Sequence, residues 1–143
     1  SLWLIFVKNI TSPALEAPSA MEQRMRSFLD YIHSHYGEEL RLKDLAASAH
    51  VSKSECLQCF RQTMETTPYQ YLLEFRLARA AELLRDTDRP VSEIAAEVGF
   101  RQVSHFGMCF KEKTGSSPRE YRKLEKQRDS EMRRGKGNLV ILQ

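Results

Sequence analysis

The sequence is poor in the residues that build disulfide frameworks and membrane spans. Three cysteines in 143 residues cannot form a closed set of disulfides, and so few favour a reducing compartment. The longest apolar run near the start, Leu2 to Val7, is too short to cross a bilayer and has no basic flank of the kind that precedes a secretory signal. Six glycines and five prolines exclude collagen-like and low-complexity chains. We therefore expect a cytoplasmic protein with no membrane partner.

A strong excess of charge is also missing. The formal net charge is +3, with 41% apolar and 29% charged residues, which is an ordinary globular composition. Residues 126–143 carry the whole excess, although residues 101–123 hold six basic side chains against Glu112 and Glu120. This local basic stretch permits nucleic-acid binding, but it is equally common on solvated helices.

Apolar residues recur with a helical period from Glu22 onward, and we find no strand pattern in residues 21–125. The pattern predicts about seven helices, the first ending at Gly37 and the last running from Pro118 to Lys126. We expect three parts: residues 1–20 as a linker or the remnant of a preceding sensor domain, residues 21–125 as an all-α domain, and residues 126–143 as a flexible, polar, basic tail.

The segment Pro68 to Arg85 is long, rich in alanine and leucine, and free of glycine and proline, so it predicts one long helix. Its predicted core stripe comprises Tyr71, Leu72, Phe75, Ala78, Leu83 and Leu84.

One unit occurs twice in the sequence, as copy one (residues 42–71) and copy two (residues 91–121). Leu42, Leu45, Ala46 and Ala47 recur 49 positions later as Val91, Ile94, Ala95 and Ala96, and Cys59, Phe60, Pro68 and Tyr71 recur 50 positions later as Cys109, Phe110, Pro118 and Tyr121. Each copy reads as a short helix, a tight turn and a second, amphipathic helix, which is a helix-turn-helix. The turn requires a residue that tolerates positive φ, namely His50 in copy one and Gly99 in copy two.

The predicted fold is therefore all-α, with two helix-turn-helix subdomains joined by one long linking helix. At 1.5 Å per residue this linking helix is about 30 Å long, close to the roughly 34 Å of one turn of B-DNA. That length would allow the second helix of each copy to enter successive major grooves of one DNA face.

The second copy carries a long, well-spaced pattern. It runs Ile94–Ala95, Val98–Gly99–Phe100, Ser104–His105–Phe106, Phe110–Lys111, Thr114–Gly115, Ser117–Pro118 and Tyr121–Arg122. With Leu42, Asp44–Ala47 and Phe60 of copy one, this pattern resembles the DNA-binding domain of the AraC/XylS family of bacterial transcription regulators, over about residues 22–125.

The resemblance implies a transcription regulator that binds double-stranded promoter DNA, activates or represses transcription, contacts RNA polymerase, and associates with the bacterial nucleoid. Family members usually carry a separate sensor or dimerisation domain, so a homodimer would form through a domain outside this chain. The chain is either an isolated DNA-binding half or a small stand-alone regulator, and the apolar run Leu2 to Val7 favours the first reading.

The predicted base contacts lie at the start of the second helix of each copy. Lys53 and Gln58 have the side chains that bond guanine and adenine edges, and Leu57 could touch a thymine methyl. Family position also implies Ser54, Leu57 and Gln58. In copy two, Gly107 and Met108 differ from the residues that the family usually has at these positions, which are larger and polar or basic, respectively. We therefore expect apolar contact or phosphate anchoring there. The predicted base contacts of copy two are Arg101, Gln102, Val103, Ser104 and Met108.

Phosphate contacts require positive charge or helix N-terminal amides. The candidates are Arg61, Arg76, Arg79, Lys111 and Lys113, with His105 resembling the family's backbone-contacting histidine. Each of these residues could instead be an ordinary solvated or ion-paired surface residue.

Two other functions stay open at this point. A helical protein-interaction module would explain the fold without DNA. A metal- or thiol-dependent sensor would use Cys56 and Cys59, although their i, i+3 spacing suits a buried helix face better than a zinc site without a second ligand pair. Nucleophile and phosphate-loop motifs are absent, so we predict no enzyme activity, cofactor or metal.

Overall fold

The computed structural model describes residues 17–142, which contain seven α-helices and no strand. The helices are α1 (Ala20–His35), α2 (Leu42–Ser48), α3 (Lys53–Met64), α4 (Pro68–Asp86), α5 (Val91–Glu97), α6 (Val103–Thr114) and α7 (Pro118–Leu142). The predicted all-α class is confirmed for these residues. None of these helices is both long and apolar enough to span a bilayer.

The predicted repeat is present in the backbone. Helices α2 and α5 each have 7 residues, and α3 and α6 each have 12. The two turn residues predicted to have positive φ do so, with φ of 57° at His50 and 104° at Gly99. In both turns the chain closes in the same way, because the amides of Val51 and Phe100 donate to the carbonyls of Ala46 and Ala95.

The helix that follows each unit begins on an equivalent hydroxyl cap. The Thr67 hydroxyl accepts from the Gln70 amide at 3.1 Å, and the Ser117 hydroxyl accepts from the Glu120 amide at 3.2 Å. Such caps satisfy amides that the first helical turn leaves without a partner. In both cases the hydroxyl residue directly precedes the proline that begins the helix. Proline is favoured at the first position of a helix.

The chain divides into two compact units, with the boundary inside α4 between Glu74 and Phe75. The first unit packs α1, α2 and α3 against one another. Its buried apolar residues are Met25, Phe28, Leu29, Ile32, Leu45, Ala46, Cys56, Cys59, Phe60, Tyr71 and Leu72. Phe60 is central, with its ring 5.7 Å from that of Phe28 and 6.1 Å from that of Tyr71.

The second unit packs α6 against both α5 and α7. Its buried apolar residues are Leu77, Ala80, Leu84, Ile94, Ala95, Val98, Phe100, Phe106 and Phe110. The Phe110 ring lies 5.2 Å from that of Tyr121, in an edge-on arrangement. This pair is the counterpart of Phe60 and Tyr71, and such aromatic pairs contribute about 0.5–1.5 kcal/mol beyond burial. Phe60, Tyr71, Phe106 and Phe110 are therefore core residues, and Tyr121 is partly exposed.

Two expectations are wrong. In α4, Ala78 is exposed, while Leu77 and Ala80 are buried. The reason is that the buried stripe of α4 shifts: Leu77, Ala80 and Leu84 share a face at i, i+3 and i+7, and Ala78 lies off it. The last helix does not end at Lys126 but continues to Leu142. The run Leu2 to Val7 lies outside the described residues.

Candidate nucleic-acid interface

Helix α3 buries one face and leaves the opposite face uncovered. Cys56, Cys59 and Phe60 point into the core. On the outer side, a shallow cavity of about 510 Å³ is lined by Ser54, Leu57, Gln58, Arg61 and Gln62. Four of the residues predicted to contact DNA are thus brought together on one surface.

The N-terminus of α3 is held by a side-chain cap. The Ser52 hydroxyl accepts a 3.2 Å hydrogen bond from the Glu55 amide and lies 3.4 Å from the Glu55 carboxylate. Lys53 follows immediately and is exposed in the first turn, outside the cavity lining. The Ser-x-x-Glu pattern is a known helix-start signal, and it is the sequence signal for this positioning pair.

Leu57 borders two different surfaces of the first unit. Its side chain is 43% exposed on the outer face of α3, and it also lines a small apolar cavity of about 190 Å³ beside Leu42 and Tyr69. Leu57 therefore presents an apolar surface between Ser54 and Gln58.

Helix α6 has the same division of faces with different chemistry. Phe106 and Phe110 are fully buried, while Val103, Ser104 and Met108 are exposed. Gly107 lies within this exposed face, and a Cβ atom built there would meet nothing within 4 Å. The outer face of α6 is therefore mostly apolar and has a gap at its centre.

Arg101 and Gln102 are not on the helical face with Val103. Helix α6 begins at Val103, Gln102 is its extended N-cap residue with φ of −121°, and Arg101 precedes it. Unlike Ser52, Gln102 makes no side-chain capping bond. Counting from the positive-φ residue of each turn, copy two has one residue more before its second helix, and Arg101 is that residue. The change of the repeat offset from 49 to 50 already encoded this insertion.

The candidates for phosphate contacts are placed differently from one another. Arg61, His105, Lys111 and Lys113 are exposed on the second helices, whereas Arg76 and Arg79 lie on α4. Arg76 is half-buried, and the Arg79 guanidinium lies 2.6 Å from the Glu82 carboxylate. Because an exposed ion pair contributes only about 0–1 kcal/mol, a phosphate could replace Glu82 at small cost.

Arg122 was not assigned a role from the sequence, yet it holds part of the second unit together. Its guanidinium donates to the backbone carbonyls of Leu84, at 3.0 Å, and Arg89, at 2.6 Å. These bonds tie α7 to the last turn of α4 and to the loop before α5. The equivalent position of copy one is the buried Leu72. Comparing the two copies therefore does not predict a hydrogen-bonding role for Arg122.

The cysteine pair has the environment of core residues. Cys56 is fully buried and Cys59 is 3% exposed. Burial raises the pKa of the Cys56 thiol to about 11, and the neighbouring Cys59 adds to the shift. A reactive or metal-binding cysteine needs the thiolate form, which this environment opposes. Within residues 17–142 no group of three or more His, Cys, Asp or Glu side chains is placed to hold a metal ion.

Comparison with known proteins identifies the family. A family model described as a helix-turn-helix domain matches residues 45–124. The chain is 33% identical over 101 residues to the uncharacterized HTH-type transcriptional regulator YdeC of Bacillus subtilis, covering 71% of this chain and 35% of that protein. It is 34% identical over 100 residues to the melibiose operon regulatory protein of Escherichia coli K12, covering 70% and 33%. The chain spans about a third of the length of these relatives.

Solved structures of related regulators support the same family assignment. The DNA-binding domain of the global transcriptional factor AdpA, solved in complex with a target DNA, is 30% identical with a TM-score of 0.69, over 73% of this chain and 95% of that chain. The C-terminal domain of AraT, a response regulator from Geobacillus stearothermophilus, is 31% identical with a TM-score of 0.69, over 74% and 88%. An AraC-type regulator from Chromobacterium violaceum is 28% identical with a TM-score of 0.69, over 73% and 93%.

These matches confirm the predicted resemblance and the double helix-turn-helix fold. The family is one of transcription-regulator domains rather than a class of enzymes. This chain belongs to the AraC-type helix-turn-helix family.

Proposed function

We propose that this chain is the sequence-specific DNA-binding module of a bacterial transcription regulator, working in the cytoplasm at the nucleoid. The observation that carries the proposal is the duplicated helix-turn-helix whose second helix, α3 or α6, buries one face and leaves the other uncovered. A helix with such a free face fits the width of the DNA major groove. The solved complex of the related AdpA domain with DNA supports the same partner.

In copy one, the outer face of α3 has the chemistry for direct base readout. The Gln58 amide can bond both edge groups of adenine, and Lys53 can bond guanine acceptors. Ser54 is small enough to allow close approach, and Leu57 offers apolar contact to a thymine methyl. Arg61, about two turns beyond Ser54 on α3, would bind a backbone phosphate and fix the position of the helix.

In copy two, the polar groups precede the helix. Arg101 and Gln102 would reach base edges from the loop, while Val103, Ser104 and Met108 face the groove. Because the first amides of a helix lack internal partners, the N-terminus of α6 would also attract a phosphate. The remaining phosphate contacts would come from cationic side chains, namely Arg76, Arg79, His105, Lys111 and Lys113.

The linking helix supports docking in two successive grooves. Helix α4 has 19 residues, which corresponds to about 28 Å, and successive major grooves on one DNA face lie about 34 Å apart. We propose that α3 and α6 occupy adjacent grooves of one asymmetric promoter site. We further propose that the whole regulator contacts RNA polymerase to activate or repress transcription, and that it forms a homodimer through a domain outside this chain.

The test is selection of bound duplexes from a random DNA pool, followed by affinity measurements at two salt concentrations. We expect an enriched site of about two helical turns and a steep loss of affinity with salt, because phosphate neutralisation releases counterions. Enrichment of one short half-site would mean that only one copy reads bases. Binding that is neither selective nor salt-sensitive would refute the proposal and favour a protein-interaction module.

A matched pair of variants tests the reading face. Gln58→Ala should relax the preference at one or two base pairs by about 1–3 kcal/mol. Gln127→Ala removes another exposed glutamine, from α7, and should change neither the preference nor the affinity. An unchanged preference in Gln58→Ala would remove Gln58 from the base contacts.

A further inference from the structure

The outer faces of the two reading helices can be compared position by position, because α3 and α6 have equal length and an offset of 50 residues. Positions i, i+1, i+4, i+5 and i+8 form one stripe on a helix. The stripe of copy one is Lys53, Ser54, Leu57, Gln58 and Arg61, and that of copy two is Val103, Ser104, Gly107, Met108 and Lys111. Lysine is thus replaced by valine, leucine by glycine, and glutamine by methionine.

Packing in the core does not explain the exposed apolar side chains on α6, Val103 and Met108. Val103 is 46% exposed and Met108 is 64% exposed, while the core of this unit is already formed by Phe106 and Phe110 on the opposite side. The space at Gly107 is open, so a group from another molecule could approach the helix backbone between Val103 and Met108. Val103 and Met108 therefore form an apolar surface with a shallow notch between them, beside the polar Ser104 and Lys111.

Only one group in the DNA major groove matches this surface. Base edges present hydrogen-bond donors and acceptors, except for the C5-methyl group of thymine, which is apolar. Valine and methionine side chains cannot bond guanine, adenine or cytosine edges, whereas contact with a methyl group removes apolar surface from water. Methionine is also flexible enough to adapt its shape to a methyl group.

We propose that α6 reads thymine methyl groups through Val103 and Met108, so that the bases facing α6 itself are specified as thymines, while hydrogen bonds to bases in copy two come from Arg101 and Gln102 in the preceding loop. This inference rests on the proposed DNA-binding function. It assigns different recognition chemistry to the two helices: hydrogen bonding through Gln58 and Lys53 on α3, and methyl contact on α6.

The experiment uses the full 143-residue chain and its selected duplex. Each thymine is replaced in turn by deoxyuridine, which removes the methyl group and leaves every hydrogen-bonding group in place. We expect about a fourfold loss of affinity for each contacted methyl, given the contribution of one buried methyl group. In Met108→Ala or Val103→Ala, at least one of these losses should disappear.

The matched control is Met132→Ala. Met132 lies on α7 and is 64% exposed, the same fraction as Met108, so this variant removes an equivalent side chain away from the stripe. It should retain the full pattern of deoxyuridine effects. If Met108→Ala and Val103→Ala also retain the full pattern, the inference is wrong while sequence-selective binding stands. If the unmodified chain shows no selective binding, the proposed function and this inference both fail.

Discussion

The second helix of each copy ends on a left-handed residue, and the two copies use different residues there. Glu65 has φ of 55°, and its counterpart Gly115 has φ of 86°. An L-residue in this region costs about 1–2 kcal/mol, while glycine adopts it freely. Glycine loses more conformational entropy on folding, by about 0.5–1 kcal/mol. We therefore expect Glu65→Gly to raise the free energy of unfolding by about 0.5–1 kcal/mol and Gly115→Ala to lower it by a similar amount.

The surroundings of Gly115 make this a measurement of backbone strain. A Cβ atom at Gly115 would meet nothing within 4 Å, so no steric clash adds to the effect of φ. The control is Gly107→Ala, the same substitution in open space but inside α6, at a helical φ. Here alanine should stabilise the chain by about 1 kcal/mol, because it is the better helix former.

Urea unfolding, followed by circular dichroism, would give the three free energies. The prediction is a pattern of signs: Gly115→Ala destabilises, Gly107→Ala stabilises, and Glu65→Gly stabilises. A Gly115→Ala variant as stable as the unmodified chain would refute the reasoning, since it would mean that the left-handed cap at this position is not strained for an L-residue.

Four further predictions concern single residues. The Tyr71 hydroxyl lies 2.7 Å from Nε2 of the half-buried His33, so Tyr71→Phe should cost about 0.5–1.5 kcal/mol in urea unfolding. Desolvation lowers the pKa of His33 against the opposing effect of Asp30, so the stability it contributes is complete above pH 6.5 and should fall as pH drops through its folded pKa. The raised pKa of Cys56, about 11, predicts slow labelling of the Cys56 thiol in the folded chain at pH 8, with stability falling as pH rises from 9 to 11. Arg122→Met should destabilise the chain by about 1–3 kcal/mol in the same unfolding assay, because two carbonyls lose a charged donor.

The fold could be predicted from the sequence because both copies of the repeat need the same kinds of residue at equivalent positions. A residue that tolerates positive φ must follow each short helix, and this requirement identifies His50 and Gly99 from the sequence. Small residues had to lie where the helices approach, and Ala46 and Ala95 are 2% and 1% exposed. Because two copies agree at each of these points, chance periodicity is a poor explanation for either one.

The errors have equally physical sources. The buried stripe of α4 changes within the helix because its two ends belong to different compact units, and a single periodic stripe therefore selected Ala78 in place of Leu77. The end of α7 was set too early because residues 126–135 have no apolar periodicity. Their glutamate, lysine, arginine and glutamine residues are nevertheless good helix formers.

The site was less predictable than the fold, because packing fixes the core and leaves the outer stripe unconstrained. Phe60 and Phe110, or Tyr71 and Tyr121, are the same residue in both copies because they fill equivalent positions in two cores. On the outer stripe, Gln58 corresponds to Met108, and packing explains neither choice. Two helices with one backbone and different exposed chemistry would each favour a different base sequence. A palindromic target would match at most one of them, so the proposed function requires an asymmetric site.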